Sequence, residues 1–194
     1  LEGEGFRVRA IPDIDWVTIP AGKYSYQNGT KTLDYDFQIS RYPVTYAQFQ
    51  AFIDDPDGFH DPRWWQGFDM PDGHNDSAGD QAFKYWNHPR ERVSWFDAMA
   101  FCRWLSHQYW QYGFVGTTPA LSEMPAKANY DAMNPATWLV RLPTEFEWEK
   151  ATRANTGWKY PWGDDYKEGY ANVNETWCGR THRWRRRGHR QRGH

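Results

Sequence analysis

Arg141-Leu142-Pro143-Thr144-Glu145-Phe146-Glu147-Trp148-Glu149 carries more local instruction than any other stretch of the chain. Thr144 and Glu147 stand at capping-box spacing. The Thr hydroxyl accepts from the amide three residues on, and the Glu carboxylate accepts from the amide of the cap itself. Pro143 has no amide to donate and disfavours helix in the residue before it. The stretch therefore predicts a short strand over 138–142, then a helix from 144 to about Arg153, with Gly157 beyond its end. Glu145, Glu147 and Glu149 read as a solvated helix start, favoured at the positive end of the helix dipole, with Glu147 as the cap.

Working outward, Ser94 and Asp97 repeat the capping pattern with Asp in place of Glu. Ala98, Phe101, Cys102 and Leu105 then fall on one face, so a second helix follows, with Gly113 and Gly116 past its end. Thr45 caps a third candidate, with Ala47, Phe49, Phe52 and Ile53 as its apolar face and Asp55-Pro56-Asp57-Gly58 as its breaker. Residues 11–40 read as short strands: Asp15 to Pro20, a hairpin signal at Asn28-Gly29, and period-2 alternation from Tyr35 to Ser40. Residues 56–90 are dense in Asp, Gly, Pro, His and Trp without sustained period. Loops of that length are uncommon unless they serve a site or pack on their own aromatics.

Composition bounds the function. The chain has 194 residues, enough for one domain with a sizeable core. Aromatic residues make up 19%, which argues against a disordered chain. No apolar run approaches the roughly 18 residues of a membrane span, so no membrane partner is expected. Cys102 and Cys178 are too few for a disulfide scaffold and form no CxxC. A reduced, cytoplasmic setting is the default. The net charge of −2 hides an asymmetry. All 25 acidic residues lie in 1–178, whereas 179–194 hold seven Arg, three His and no acid. That tail fits a basic arm that meets a polyanion without sequence preference; its Arg/His/Gly/Gln bias fits a frameshifted end equally well.

Four segments together resemble the sulfatase-modifying-factor family, the formylglycine-generating-enzyme-like domain. They are Trp16-Val17-Thr18-Ile19-Pro20-Ala21-Gly22, Tyr42-Pro43-Val44-Thr45, Arg92-Val93-Ser94-Trp95-Phe96-Asp97-Ala98, and the 141–149 stretch. Tyr160-Pro161-Trp162-Gly163 and Ala171-Asn172-Val173-Asn174 follow in family order. The resemblance implies an α+β fold, a variant of the C-type lectin fold with little regular secondary structure. It also implies that the domain, over 1–178, is incomplete at its C-terminus, because the cysteine-bearing part of the family stands where the basic tail 179–194 lies. Relatives include copper-dependent formylglycine-generating oxidases, iron-dependent sulfoxide synthases and non-catalytic binding proteins.

Among the site candidates, Asn172 and Val173 match the start of a family calcium site, through a side-chain oxygen and a main-chain carbonyl; Ca²⁺ wants 6–8 oxygen ligands, so the site is partial. Trp64, Trp65 and Trp86 are candidates for a ligand-stacking platform, although core and loop packing is the reading their setting favours. His60, His74 and His88 fit loop bracing better than a metal cluster, since no H-x₃-H spacing joins them. Cys102 on an apolar helix face reads as an inert thiol and Cys178 as a bystander. The expected function is a non-catalytic scaffold or module for a protein or small-molecule ligand. The alternative is a truncated metal- and O₂-dependent oxidase of the same family, for formylglycine generation or sulfoxide synthesis. Copper or iron enters only on that alternative.

Overall fold

The computed structural model describes residues 11–112, 140–153 and 156–170. Four strands come first: β1 (Trp16–Ile19), β2 (Gly22–Tyr26), β3 (Gly29–Leu33) and β4 (Phe37–Ser40). Three helices follow: α1 (Tyr46–Asp54), α2 (Trp95–Tyr112) and α3 (Glu145–Arg153), with one 3₁₀ turn at Pro62–Trp64. The class is mixed α+β.

The strands form two antiparallel pairs. β1 pairs β4 with Trp16 opposite Ser40 and Ile19 opposite Phe37. Between them β2 and β3 make a hairpin, with Tyr26 opposite Gly29. The turn centre is therefore Gln27-Asn28, one residue earlier than Asn28-Gly29. Gln27 takes the positive φ of 48° that a two-residue hairpin turn demands. A long-range clamp offsets that strain: the Gln27 amide donates to Glu149 at 2.8 Å, and Arg153 donates to the Gln27 carbonyl at 3.3 Å.

The three caps form as their spacing predicts. Thr45 and Gln48 cap α1 reciprocally, at 2.9 and 3.3 Å. At α2, the Ser94 amide donates to Asp97 at 2.8 Å and the Asp97 amide to the Ser94 hydroxyl at 3.0 Å. Thr144 and Glu147 cap α3, at 2.7 and 3.3 Å.

α2 is more deeply buried than its one-sided pattern suggests. Residues 100–106 are all buried, because the loop after α1 wraps its other side. Arg103 anchors that loop by donating to the carbonyls of Trp64 and Gln66, both at 2.9 Å. The core is a run of rings: Phe49 stacks on Phe101 at 5.3 Å, and Phe52 meets Phe59, Phe101 and Trp104 within 6.0 Å. Gly58 makes the sharp return from α1 possible, since a Cβ there would lie 2.0 Å from the Phe52 carbonyl.

The expected strand over 138–142 is not formed in its described part, residues 140–142. The Ser106 hydroxyl of α2 takes the place of a neighbouring strand. It donates to the Val140 carbonyl and accepts from the Val140 amide, both at 2.9 Å. Among the described residues, no helix is long and apolar enough to cross a membrane.

Candidate functional site

Two regions combine charge with apolar surroundings. The first is the seam where α3 lies on the β2–β3 hairpin. Glu147, placed by its cap, is 1% exposed and grips Arg141 through two bonds of 2.6 and 2.7 Å. Tyr35 donates to it at 3.2 Å. The Arg141 bonds pull the Glu147 carboxyl down to about 2, against the opposing push of burial. Glu145 accepts from the Tyr26 hydroxyl, which pushes that phenol up to about 12. Glu149 is held below the usual carboxylate range by the Gln27 amide and then by Arg153. Lys150 is buried and donates to the carbonyls of Pro20 and Gly22. Glu147 is thus locked inside the seam, whereas Glu145 stays exposed at the helix start and Glu149 is half-buried. The local spacing could not show that the hairpin arrives on top of them.

The second region is a cavity of about 270 Å³ between the β1–β4 pair, the start of α2 and residues 140–143. Ile14, Trp16, Ile39, Val44, Phe49 and Phe101 give it apolar walls. Arg90 is the cation in that wall which has no carboxylate partner among the described ion pairs. Backbone pairing sets its position: the Tyr46 amide donates to the His88 carbonyl at 2.7 Å and the Arg90 amide to the Val44 carbonyl at 2.9 Å. The guanidinium carbon then lies 5.1 Å from the Phe49 ring centre, and Nη2 donates to the Gly79 carbonyl. Its Nε is buried without a hydrogen-bond partner. Burial lowers the Arg90 pKa, with Tyr46, Asp97, Glu91 and Asp80 acting in the opposite direction.

The sequence did not single out Arg90. It sits in an irregular segment where no periodicity marks an inward side chain.

Cys102 also lines the cavity, and burial pushes its thiol up to about 12. It is protonated at neutral pH and a poor nucleophile.

The structure places the stacking candidates Trp64, Trp65 and Trp86 in different settings. Trp64 and Trp65 are 1% and 3% exposed. Their indole N–H groups donate to the carbonyls of Asp57 and Phe59, so both rings brace the long loop inside the core. Trp86 is 68% exposed, with its ring centre 5.7 Å from that of Tyr46.

The histidines are dispersed. His74 Nε2 lies 2.9 Å from the Ser94 hydroxyl, His60 meets the Phe59 ring, and His88 meets Tyr85. Among the described residues, no group of three or more His, Cys, Asp or Glu could hold a metal ion. Asn172, Val173, Cys178 and the basic tail lie outside the described residues.

Comparison with known proteins adds the lineage. The family model for the sulfatase-modifying factor enzyme 1-like domain matches residues 8–193. The hercynine oxygenase of Mycolicibacterium smegmatis is 33% identical over 134 residues, covering 66% of this chain and 26% of that protein. The hercynine oxygenase of Mycobacterium tuberculosis is 32% identical over 143 residues, covering 71% and 29%. The formylglycine-generating enzyme of Mycobacterium tuberculosis is 31% identical over 163 residues, covering 74% and 50%. The chain thus spans between a quarter and a half of the length of these relatives. No solved structure matches it.

Proposed function

The chain belongs to the sulfatase-modifying factor enzyme 1-like family, and from that premise we propose that it works as a non-catalytic ligand-binding module. The observation that carries this reading is the 270 Å³ apolar cavity, whose wall combines an inert thiol with a cation that has no carboxylate partner among the described ion pairs. Binding pockets in general are concave and mostly apolar, with a few convergent polar groups. On this reading the C-type-lectin-like variant is the parent fold and the cytoplasm is the setting. Asn172 and Val173 contribute at most part of a calcium site, and the Arg-rich tail makes only salt-sensitive contacts with polyanions. Titration calorimetry with indole, a neutral apolar probe of suitable size, tests the reading. One saturable site is expected, and Ala98→Phe, which fills the cavity from the first turn of α2, abolishes it. Absence of saturable uptake by the folded protein refutes it.

The names of the relatives favour a second reading, in which the chain is a piece of a metal- and O₂-dependent oxidase. The described residues do not assemble a donor set for copper or iron: Cys102 is a single buried thiol with no His, Asp or Glu group around it that could complete a site. These residues therefore support no step through a metal. Oxygen uptake with a cysteine-containing peptide and Cu or Fe(II), lost on Cys178→Ala, is the result that would establish an oxidase.

A further inference from the structure

We propose that the cavity selects a small monocarboxylate with an apolar body, an aryl- or branched-alkyl-carboxylate of about ten non-hydrogen atoms, and that Arg90 is the residue that makes the selection. The inference rests on the binding reading above and names the ligand class for that same site.

Size comes first. A dry apolar cavity of about 150 Å³ accepts benzene, with its six carbons. At about 270 Å³, the same ratio gives roughly ten or eleven non-hydrogen atoms. The walls dictate the body of the ligand: apart from Arg90, Arg141 and Ser40, the lining is aliphatic, aromatic, proline or the Cys102 thiol.

Charge comes second. A guanidinium has five N–H donors. One, on Nη2, meets the Gly79 carbonyl, and Nε is buried without a partner. The other cavity arginine is occupied, since Arg141 holds Glu147 with both Nη atoms. Of the acidic groups that act on Arg90, Asp97 and Glu91 are engaged elsewhere and Asp80 is solvated. Asp97 accepts from the Ser94 amide at 2.8 Å and lies 3.6 Å from His74. Glu91 accepts from the amides of Ala82 and Phe83 at 2.8 and 3.2 Å. Asp80 lies in the exposed part of the loop. One cation beside an apolar wall matches one negative charge: a carboxylate takes charge-assisted bonds from it, whereas a phosphate dianion would be left half-neutralised.

The test is calorimetry with three probes that share a phenylpropyl body, 3-phenylpropionate, 3-phenylpropanamide and 3-phenylpropylamine, on the wild-type chain, Arg90→Met and Arg90→Lys. The wild-type chain should bind the carboxylate about tenfold or more tighter than the amide, and the amine more weakly than the amide. Arg90→Met should abolish the preference for the carboxylate over the amide, while continued saturable binding of the amide shows that the cavity is intact. Arg90→Lys should keep part of the preference, as a point charge does. Equal binding of carboxylate and amide by the wild-type chain overturns the carboxylate assignment while leaving the binding module standing. Full preference retained in Arg90→Met overturns the role of Arg90. No binding of any probe by the folded chain overturns the binding reading and this inference with it.

Discussion

Arg141 and Arg90 line the same cavity, and their surroundings could hardly differ more. Arg141 faces outward into the α3 seam, where Glu147 answers it with two short bonds and is itself held by Thr144 and Tyr35. Arg90 faces two aromatic rings and one carbonyl. A guanidinium matched by a carboxylate is a fixture of the fold, whereas one left on a carbonyl and ring faces stays available to an incoming anion.

The largest effect that could break this contrast comes from Glu147→Ala. It leaves Arg141 without its carboxylate, removes the acceptor of the Thr144 amide from the α3 capping box and strips Tyr35 of its acceptor. Breaking a buried pair costs about 3–5 kcal/mol, and the half-exposed Arg141 places this case near the lower end, about 3 kcal/mol. Urea unfolding measures it; a loss below about 1 kcal/mol would mean that the seam contributes little to the fold. Glu147→Gln keeps the shape and should cost less.

Acid should reproduce much of that loss without mutation. The folded value of Glu147 lies at about 2, below its unfolded value near 4.5. Its stabilisation is therefore complete above about pH 4.5 and fades as the pH falls towards 2. Glu149, also lowered, acts in the same direction. Roughly 2–3 kcal/mol should disappear between pH 5 and pH 2 on account of Glu147. Melting temperatures across that range in wild type and Glu147→Gln check it, the variant showing the shallower decline.

Cys102 sharpens the cavity side. With a thiol pushed up to about 12 and 5% exposure, it should react, in a Cys178→Ala chain, with an aromatic disulfide reagent at pH 8 only at the rate of global or local opening. Addition of urea below the unfolding midpoint should accelerate the reaction. Labelling as fast as a free thiol would show that the cavity wall is open.

The smallest effect is expected for Arg90→Met. Its guanidinium has no carboxylate to abandon, and its stem is replaced by a chain of similar length, so stability should change by less than about 1 kcal/mol. A loss comparable to that of Glu147→Ala would erase the distinction between the two arginines.

What the sequence determined by itself is what a few neighbouring residues settle. Thr45, Ser94 with Asp97, and Thr144 with Glu147 set the three helix starts, because each cap closes within three residues. The strand pairing around the 28–29 turn was legible to within one residue for the same reason, and the segments around residues 16, 42, 92 and 141 were enough to identify the family. The tertiary structure decided what those elements meet. Glu147 reads as a cap in sequence, but its carboxylate also accepts from Tyr35, 112 residues away. Gln27 tolerates its turn because Glu149 arrives from 122 residues on. Trp64 and Trp65 are buried because the loop that carries them folds against α2. Arg90 gained its place in the cavity from backbone pairing with residues 44–46, across an irregular segment with no period to read. Capping and turn chemistry is local and written in spacing, whereas burial and charge pairing arise only when distant segments exclude water between them.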